Sequence, residues 1–310
     1  MKVCFIGACG HTRQAYAYLK TREDVEFCGI APESAHENLY MSFDPDIPYY
    51  ADYKEMLDKT APNLAVVSPV FGHTGRVIIE CAHRGIDVFS EKPVAASLSE
   101  LRDVESAVCE GGIRFCAMHY LRYDPAFYHG ARLVRGGAIG EVRMVSAQKS
   151  YKYGTRPAWY SDSELYGGTV PWVGIHAIDW IYNFTGKRFL SVSSQSVGKN
   201  PEMAAICQFE MEDGVIASVN LDYYRPQNAP THGDDRIRCV GMKGVLEVRD
   251  GQIILINGEG SGVIAPSAAP ELLESFIDGK EAVSKEEIFY LTRVALIARD
   301  AWGKTVVIED

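Results

Sequence analysis

The feature that most constrains this chain is a rhythm in its first 118 residues, where short β-branched or apolar runs alternate with amphipathic helical patterns. The runs are Val3 to Ile6, Val25 to Ile30, Leu64 to Ser68, Ile86 to Ser90 and Ile113 to Met118. Helical patterns fall between them, near 12 to 21, 53 to 59, 74 to 84 and 97 to 110. A helical crossover between successive strands makes the strands parallel, which predicts an open, doubly wound α/β sheet of Rossmann type. After residue 140 the period changes to longer alternating segments: Val142 to Lys152, Leu190 to Val197, Ala204 to Met211, Val215 to Tyr223, Arg236 to Val240, Val245 to Arg249 and Gln252 to Ile256. Turn signals such as Glu212-Asp213-Gly214 and Asp250-Gly251 join them, so this half is expected to be an α+β domain with a largely antiparallel open sheet. Helices are expected at about 174 to 185 and 284 to 302. The expected division is therefore 1 to 120 and 121 to 310, with Leu121 to Gly137 as the crossing segment.

Composition narrows the partners. The chain has 310 residues, 47% of them hydrophobic and 23% charged, which is the makeup of an ordinary globular protein large enough for two domains. Its 31 basic and 41 acidic residues give a net charge of −10, and no Lys/Arg-rich stretch could neutralise a row of phosphates, so nucleic acid is not expected as a partner. Eight cysteines are scattered without a C-x-x-C pair, which reads as buried free thiols in a reducing compartment and predicts no metal site. The opening apolar run is broken early by His11, Thr12, Arg13 and Gln14, so it reads as a first strand rather than a signal peptide. The longest apolar runs fall short of the ~20 residues that span a bilayer. A cytoplasmic protein without a membrane partner is expected.

Val3 to Thr12 reads as strand, glycine turn and helix start, the arrangement in which backbone N–H groups and a helix dipole hold a pyrophosphate. Gly7, Ala8, Cys9, Gly10, His11 and Thr12 are the candidate contacts, although Cys9 and Thr12 occupy the second and third glycine positions of G-x-G-x-x-G and Gly10 is offset. The second strand ends in Pro32-Glu33-Ser34, where an acidic residue ordinarily meets the adenosine ribose. Pro32 takes its place, with Glu33 one position late and Ser34 as a neutral contact, which leaves NAD and NADP both open.

Three further stretches carry a sharper pattern: Asp52-Tyr53-Lys54-Glu55-Met56-Leu57; Pro62 to Pro69 followed by His73; and Gly85 to Ala95 with its Glu91-Lys92-Pro93. With Arg122-Tyr123-Asp124-Pro125, Gly140-Glu141-Val142, Gly167-Gly168-Thr169, Gly174-Ile175-His176-Ala177-Ile178-Asp179 and Gly241 to Val248, the sequence resembles the Gfo/Idh/MocA oxidoreductases over nearly its whole length. Glu-Lys-Pro after the fifth strand is that family's signature. The resemblance implies an N-terminal Rossmann domain, a C-terminal domain whose open sheet mediates oligomerisation, and NAD(P)-dependent chemistry on a sugar or cyclitol. It also implies a cofactor crevice lined by Ser68, Pro69, His73, Glu91, Lys92 and a cis Pro93. A homodimer or homotetramer is the expected assembly.

Lys92 is the first catalytic candidate on chemical grounds, because oxidising an alcohol needs a group to share its proton, and a strand's carboxyl end faces the ligand crevice. Alternation along a strand predicts that Glu91 and Lys92 point opposite ways and do not pair. His176 is the second candidate, with Asp179 three residues on and placed to orient its ring. Trp172 stands where sugar and inositol dehydrogenases of this family carry an acidic residue, which removes one hydroxyl ligand and adds an apolar face. Tyr151, Tyr153, Trp159, Tyr160, Tyr166 and Trp172 crowd one stretch and suit either a sugar-binding wall or a packed junction. Tyr120 and Arg122 are further substrate candidates. Arg156 in the same stretch reads as a ligand for a substrate carboxylate or as a loop cap.

Overall fold

The computed structural model describes residues 1–37, 39, 42–199, 201–280 and 282–309. The chain divides into two compact units. The first combines Met1–Met118 with two later segments, Asp162–Gly167 and Leu272–Arg293. Its sheet holds β1 (Lys2–Ile6), β2 (Glu26–Ala31), β3 (Leu64–Val67), β4 (Asp87–Ser90) and β5 (Phe115–Ala117), all parallel, in the order β2-β1-β3-β4-β5. Four helices connect them: α1 (Thr12–Leu19), α2 (Tyr53–Thr60), α3 (Thr74–Ala82) and α4 (Leu98–Gly111). Local chemistry sets their limits. The Asp52 carboxylate accepts the amides of Lys54 and Glu55 at the start of α2, the Ser97 hydroxyl accepts that of Glu100 in α4, and Gly112 closes α4 at φ +59°. Every residue of β3 is buried, as a central strand covered on both faces requires. The strand order reverses between β1 and β3, and in a doubly wound sheet that switch point opens the ligand crevice at the strands' carboxyl ends. Glu91-Lys92-Pro93 follows β4, the fourth strand of this sheet and not a fifth.

From His119 the chain builds the second unit, which comprises His119–Ser161, Gly168–Glu271 and Val294–Asp310. Its elements run α5 (Pro125–Arg135) and β6 (Val142–Tyr151); α6 (Ser163–Tyr166) belongs to the first unit; then come α7 (Ile175–Thr185), β7 (Phe189–Val197), β8 (Ala204–Met211), β9 (Ile216–Asp222), β10 (Gly233–Gly241), β11 (Gly244–Arg249), β12 (Gln252–Asn257) and β13 (Gly260–Ile264). α8 (Leu272–Ile277) lies in the first unit, α9 (Lys285–Asp300) carries the chain from one unit's residues to the other's, and β14 (Thr305–Val307) ends the order. Nine strands form one sheet, β13-β12-β11-β10-β6-β9-β8-β7-β14, antiparallel throughout except for the β6/β9 pair. β13 and β14 were not expected. One face buries Val145, Ala147, Cys207 and Val219, with α7 packed on β6, β9 and β10 and α5 on β11 and β12; the other exposes Met144, Ile206, Ile216 and Val307. Eight free cysteines are present, and Cys109, against expectation, is exposed because it sits on the outer side of α4. Among the described residues no helix is long and apolar enough to cross a membrane.

Candidate functional site

In the first unit the chain turns as soon as β1 ends. Gly7 adopts φ +79° and a Cβ there would stand 2.4 Å from the Ser68 carbonyl oxygen; Gly10 adopts φ +61° and a Cβ would stand 2.1 Å from Glu91 Oε2. Both positions therefore require glycine. The residues that replace the other motif glycines are put to use. The Cys9 N–H donates to Ser68 O at 2.9 Å, the Thr12 hydroxyl to Cys9 O at 3.1 Å, and the Ser68 hydroxyl to that same Cys9 oxygen. This lacing ties the β1 turn to the end of β3 at the switch point. The amides of Ala8 and Gly10 have no hydrogen-bond partner among the described residues, and they precede the first turn of α1. Such donors at a helix start suit phosphate oxygens, so the turn fits the pyrophosphate of a dinucleotide.

Glu91 lies fully buried beside this turn. Its carboxylate accepts the His11 amide at 2.6 Å and the Lys92 amide at 3.0 Å, and stands 2.9 Å from His11 Nδ1 and 3.7 Å from Lys92 Nζ. Burial pushes its pKa up, but His11 and Lys92 outweigh that and hold it below the usual carboxylate range. The expectation that Glu91 and Lys92 diverge is thus corrected. The strand stops at Ser90, and alternation holds only within extended strand backbone. Lys92 is 2% exposed, and its bond to Pro93 is cis.

At the end of β2 the Glu33 carboxylate meets His73 Nδ1 at 2.6 Å and pairs with Arg76. Burial raises the Glu33 pKa, and His73 and Arg76 together bring it below its ordinary value. Glu37 folds over the same strand ends, accepting the Val70 amide at 2.8 Å and the Glu33 amide at 3.2 Å, and burial pushes its pKa up to about 7. Pro32 and Ser34 flank Glu33 in this bend. Neither Arg76 nor Glu37 was among the expected site residues.

In the second unit Asp179 of α7 accepts Arg122 Nε at 2.9 Å, bonds Arg122 Nη2 as well, and lies 3.6 Å from His119 Nδ1. Burial raises the Asp179 pKa, and Arg122 and His119 together lower it below the normal range. Asp179 and Arg122 therefore clamp the crossing segment to α7; the carboxylate serves Arg122 rather than orienting His176. The His176 ring stands edge-on to His119, with centroids 6.4 Å apart. Trp172 is buried in a π-helical turn, Val170–Gly174, that leads into α7. Tyr120 lies in the short helical turn Tyr120–Tyr123. Arg156 spreads its guanidinium 5.2 to 6.0 Å from the rings of Tyr153, Tyr160 and Tyr223, and Trp159 packs on Tyr160 with centroids 4.4 Å apart. Lys149, unforeseen from the sequence, is fully buried 2.6 Å from Asp235 Oδ2 and lies over the rings of Tyr151 and Trp180.

Comparisons with known proteins agree with this construction. Residues 1–119 match the family model described as oxidoreductase family, NAD-binding Rossmann fold, and residues 129–247 match the Gfo/Idh/MocA C-terminal domain. A scyllo-inositol 2-dehydrogenase (NAD(+)) of Bacillus subtilis is 26% identical over 67% of this chain, and the match spans 62% of that relative's own length, less than two thirds. Among solved structures, a protein of Thermotoga maritima assigned as an oxidoreductase is 38% identical, with a TM-score of 0.93 over 99% of this chain and 100% of its own. An oxidoreductase from Agrobacterium radiobacter in complex with NAD+, L-tartaric acid and magnesium shares the fold, with a TM-score of 0.82 at 15% identity over 99% of this chain and 98% of its own. The strand-end crevice with its glycine turn, the Glu-Lys-cis-Pro that closes β4 and these matches together place the chain in the Gfo/Idh/MocA family of oxidoreductases, with an NAD-binding Rossmann domain at its N-terminus.

Proposed function

We propose that the protein is an NAD(P)-dependent dehydrogenase or reductase that moves a hydride between the nicotinamide and a sugar- or cyclitol-like alcohol or ketone. The observation that carries this reading is the buried Lys92 at the carboxyl end of β4, held with Glu91 and His11 beside the partnerless amides of Ala8 and Gly10. The dinucleotide, when bound, supplies the hydride acceptor or donor. The turn from Gly7 to Thr12, with Ser68 and Pro69, binds it, and His73, Glu33 and the Pro32–Ser34 bend border its adenosine side. Lys92 takes the proton of a substrate hydroxyl in one direction and returns it in the other, with Glu91 fixing its position. Within the second unit, taken by itself, His176 is the proposed hydroxyl-binding residue, and Trp172, Trp159, Tyr153 and Tyr120 are the proposed carbohydrate-contact residues. Asp179 and Arg122 bind one another within that unit and hold the crossing segment to α7.

This reading includes a cytoplasmic location and a homodimer or homotetramer formed through the open sheet face, which leaves Met144, Ile206 and Ile216 to be covered. Light scattering that finds only particles of 34.3 kDa would remove the assembly from the proposal. The activity is tested by incubating the protein with NAD+ or NADP+ and a panel of cyclitols, aldoses and sugar acids, and with the reduced cofactors and keto sugars. A net change in nicotinamide absorbance on members of the panel is expected. Glycosidic cleavage of added glycosides with no net change in the cofactor would replace dehydrogenation by transient-oxidation hydrolysis, and inertness toward every member would contradict the reading.

A further inference from the structure

In the second unit, the packed face of the sheet ends in a cluster that runs against the charge of the whole molecule. β6 brings Lys149 and Tyr151 to this face, and β10 sets Asp235 opposite Lys149 and Gly233 opposite Tyr151. Tyr151 stacks on His232 with centroids 5.0 Å apart, and the Lys152 amide donates to the His232 carbonyl at 3.0 Å. Beyond the strand end, Arg156 lies among Tyr153, Tyr160 and Tyr223, and Tyr153 meets Tyr223 edge-on at 5.4 Å. Three cations, Lys149, Lys152 and Arg156, thus gather in a chain whose net charge is −10.

Their partners are unevenly shared. Asp235 binds Lys149 through Oδ2, and the Lys152 ammonium donates to the Ala229 carbonyl. Arg156 forms no ion pair among the described residues; Nη2 reaches the Lys152 carbonyl at a long 3.4 Å, and Nε is buried without any partner. The other nearby acids face away: Asp222 and Asp234 sit at the opposite parity of the sheet, where they hold Ser150, Arg225 and Arg236. Oδ1 of Asp235 is also buried without a partner. The charge imbalance is felt at His232, whose pKa burial lowers first and Arg156 and Lys152 lower further.

A guanidinium with a buried, unanswered N–H is costly unless something accepts from it, and its planar fork matches a carboxylate. The tyrosine rings around it are faces of the kind that pack on the C–H surface of a sugar, and no protein carboxylate pairs with it among the described residues. An unanswered carboxylate oxygen on Asp235 is matched by a hydroxyl. One ligand satisfies both demands: a polyhydroxylated acid.

We propose that Arg156 is the seat of a substrate carboxylate, with the Tyr153, Tyr160 and Tyr223 rings around it, so that the carbohydrate-like substrate is a sugar acid or cyclitol acid rather than a neutral polyol. This rests on the dehydrogenase reading above and names the substrate class for it.

The test is titration calorimetry on the NADH-saturated protein with pairs that differ only in the terminal group: D-glucuronate against D-glucose, and D-galacturonate against D-galactose. In at least one pair the acid is expected to bind about tenfold or more tightly, the scale of a charge-assisted bidentate contact. Arg156→Met should erase that preference, and Arg156→Lys should keep part of it, while the NADH affinity and melting temperature of both variants stay at wild-type values. The wild-type pairs alone decide the matter if a variant does not fold. Equal or tighter binding of the neutral sugars, a preference that survives Arg156→Met, or no binding of any sugar to the NADH complex would overturn the assignment. Failure of the wild type to bind NADH would instead strike the dehydrogenase reading itself.

Discussion

Among the described residues two lysines are buried, Lys92 in the first unit and Lys149 in the second, and the surroundings of the two differ at every point that matters for chemistry. Lys149 lies within a strand, 2.6 Å from Asp235, with ring centroids of Tyr151 and Trp180 at 4.5 and 4.8 Å. Its charge is neutralised by a dedicated carboxylate and its stem is packed by aromatics. Lys92 lies just past a strand's end, 3.7 Å from a carboxylate that already serves His11, beside a turn in which the Ala8 and Gly10 amides have no hydrogen-bond partner among the described residues. Burial of a lysine therefore assigns no role by itself. Position along the strand separates the two: Lys149 is packed in mid-strand, whereas Lys92 follows the carboxyl end of a parallel strand, the edge on which ligands bind in such sheets and where the proposed reacting group belongs.

The largest effect that could break this contrast is on stability. Lys149→Met strips Asp235 of its partner and removes two cation–ring contacts, so unfolding in urea should show a loss of about 3 kcal/mol, the lower end of the range for breaking a buried pair because Asp235 is partly exposed. A loss below about 1 kcal/mol would dissolve the distinction between the two lysines. Next in size, Lys92→Ala should cut turnover by ~10²-fold or more while leaving NADH affinity within a few-fold. Unchanged turnover would move Lys92 to the structural side of the comparison.

A smaller effect sharpens the contrast. Burial lowers the Lys149 pKa to about 8, against its ordinary 10.5, with Asp235 opposing the shift. Above pH 8 the folded state sheds this proton while the unfolded state keeps it, so the unfolded state binds more protons and stability rises with pH by this group's share. The stability gap between wild type and Lys149→Met should accordingly widen as pH climbs from 8 toward 10.5. A gap that narrows there would mean that Lys149 stays charged.

Much of the frame was legible in the sequence because its physics is local. Runs such as Leu64 to Val67, apolar without interruption, require cover on both faces and so announce a parallel sheet, and Glu91-Lys92-Pro93 announced its place at a strand end. What stayed hidden depends on distant partners or weak local pattern. β13, built from Gly260-Ser261-Gly262-Val263-Ile264, is largely exposed and lacks an apolar signal, and β14 is three residues long. The segments Asp162–Gly167 and Leu272–Arg293 join the first unit without any strand of their own to mark the return. Arg122 and Asp179 lie 57 residues apart, so Asp179 read as a partner of His176 when the fold gave it to Arg122. Lys149 did carry a signal that went unused. It has the parity of Val145 and Ala147, both of which face the packed side, so only its charge suggested solvent.

The central claim, a dinucleotide held by the turn after β1 with Glu91 and Lys92 beside it, is tested most directly by fluorescence titration of NADH and NADPH into wild type and Gly10→Ala. A Cβ at residue 10 would collide with Glu91 Oε2 at 2.1 Å and strain a backbone at φ +61°, displacing the carboxylate and the turn together. Wild type should bind at least one of the two cofactors saturably below millimolar concentration, and Gly10→Ala should weaken that binding by about tenfold or more while its far-ultraviolet circular dichroism stays native. Folded wild type that binds neither cofactor at millimolar concentration, or a Gly10→Ala variant that binds as tightly as wild type, would contradict it.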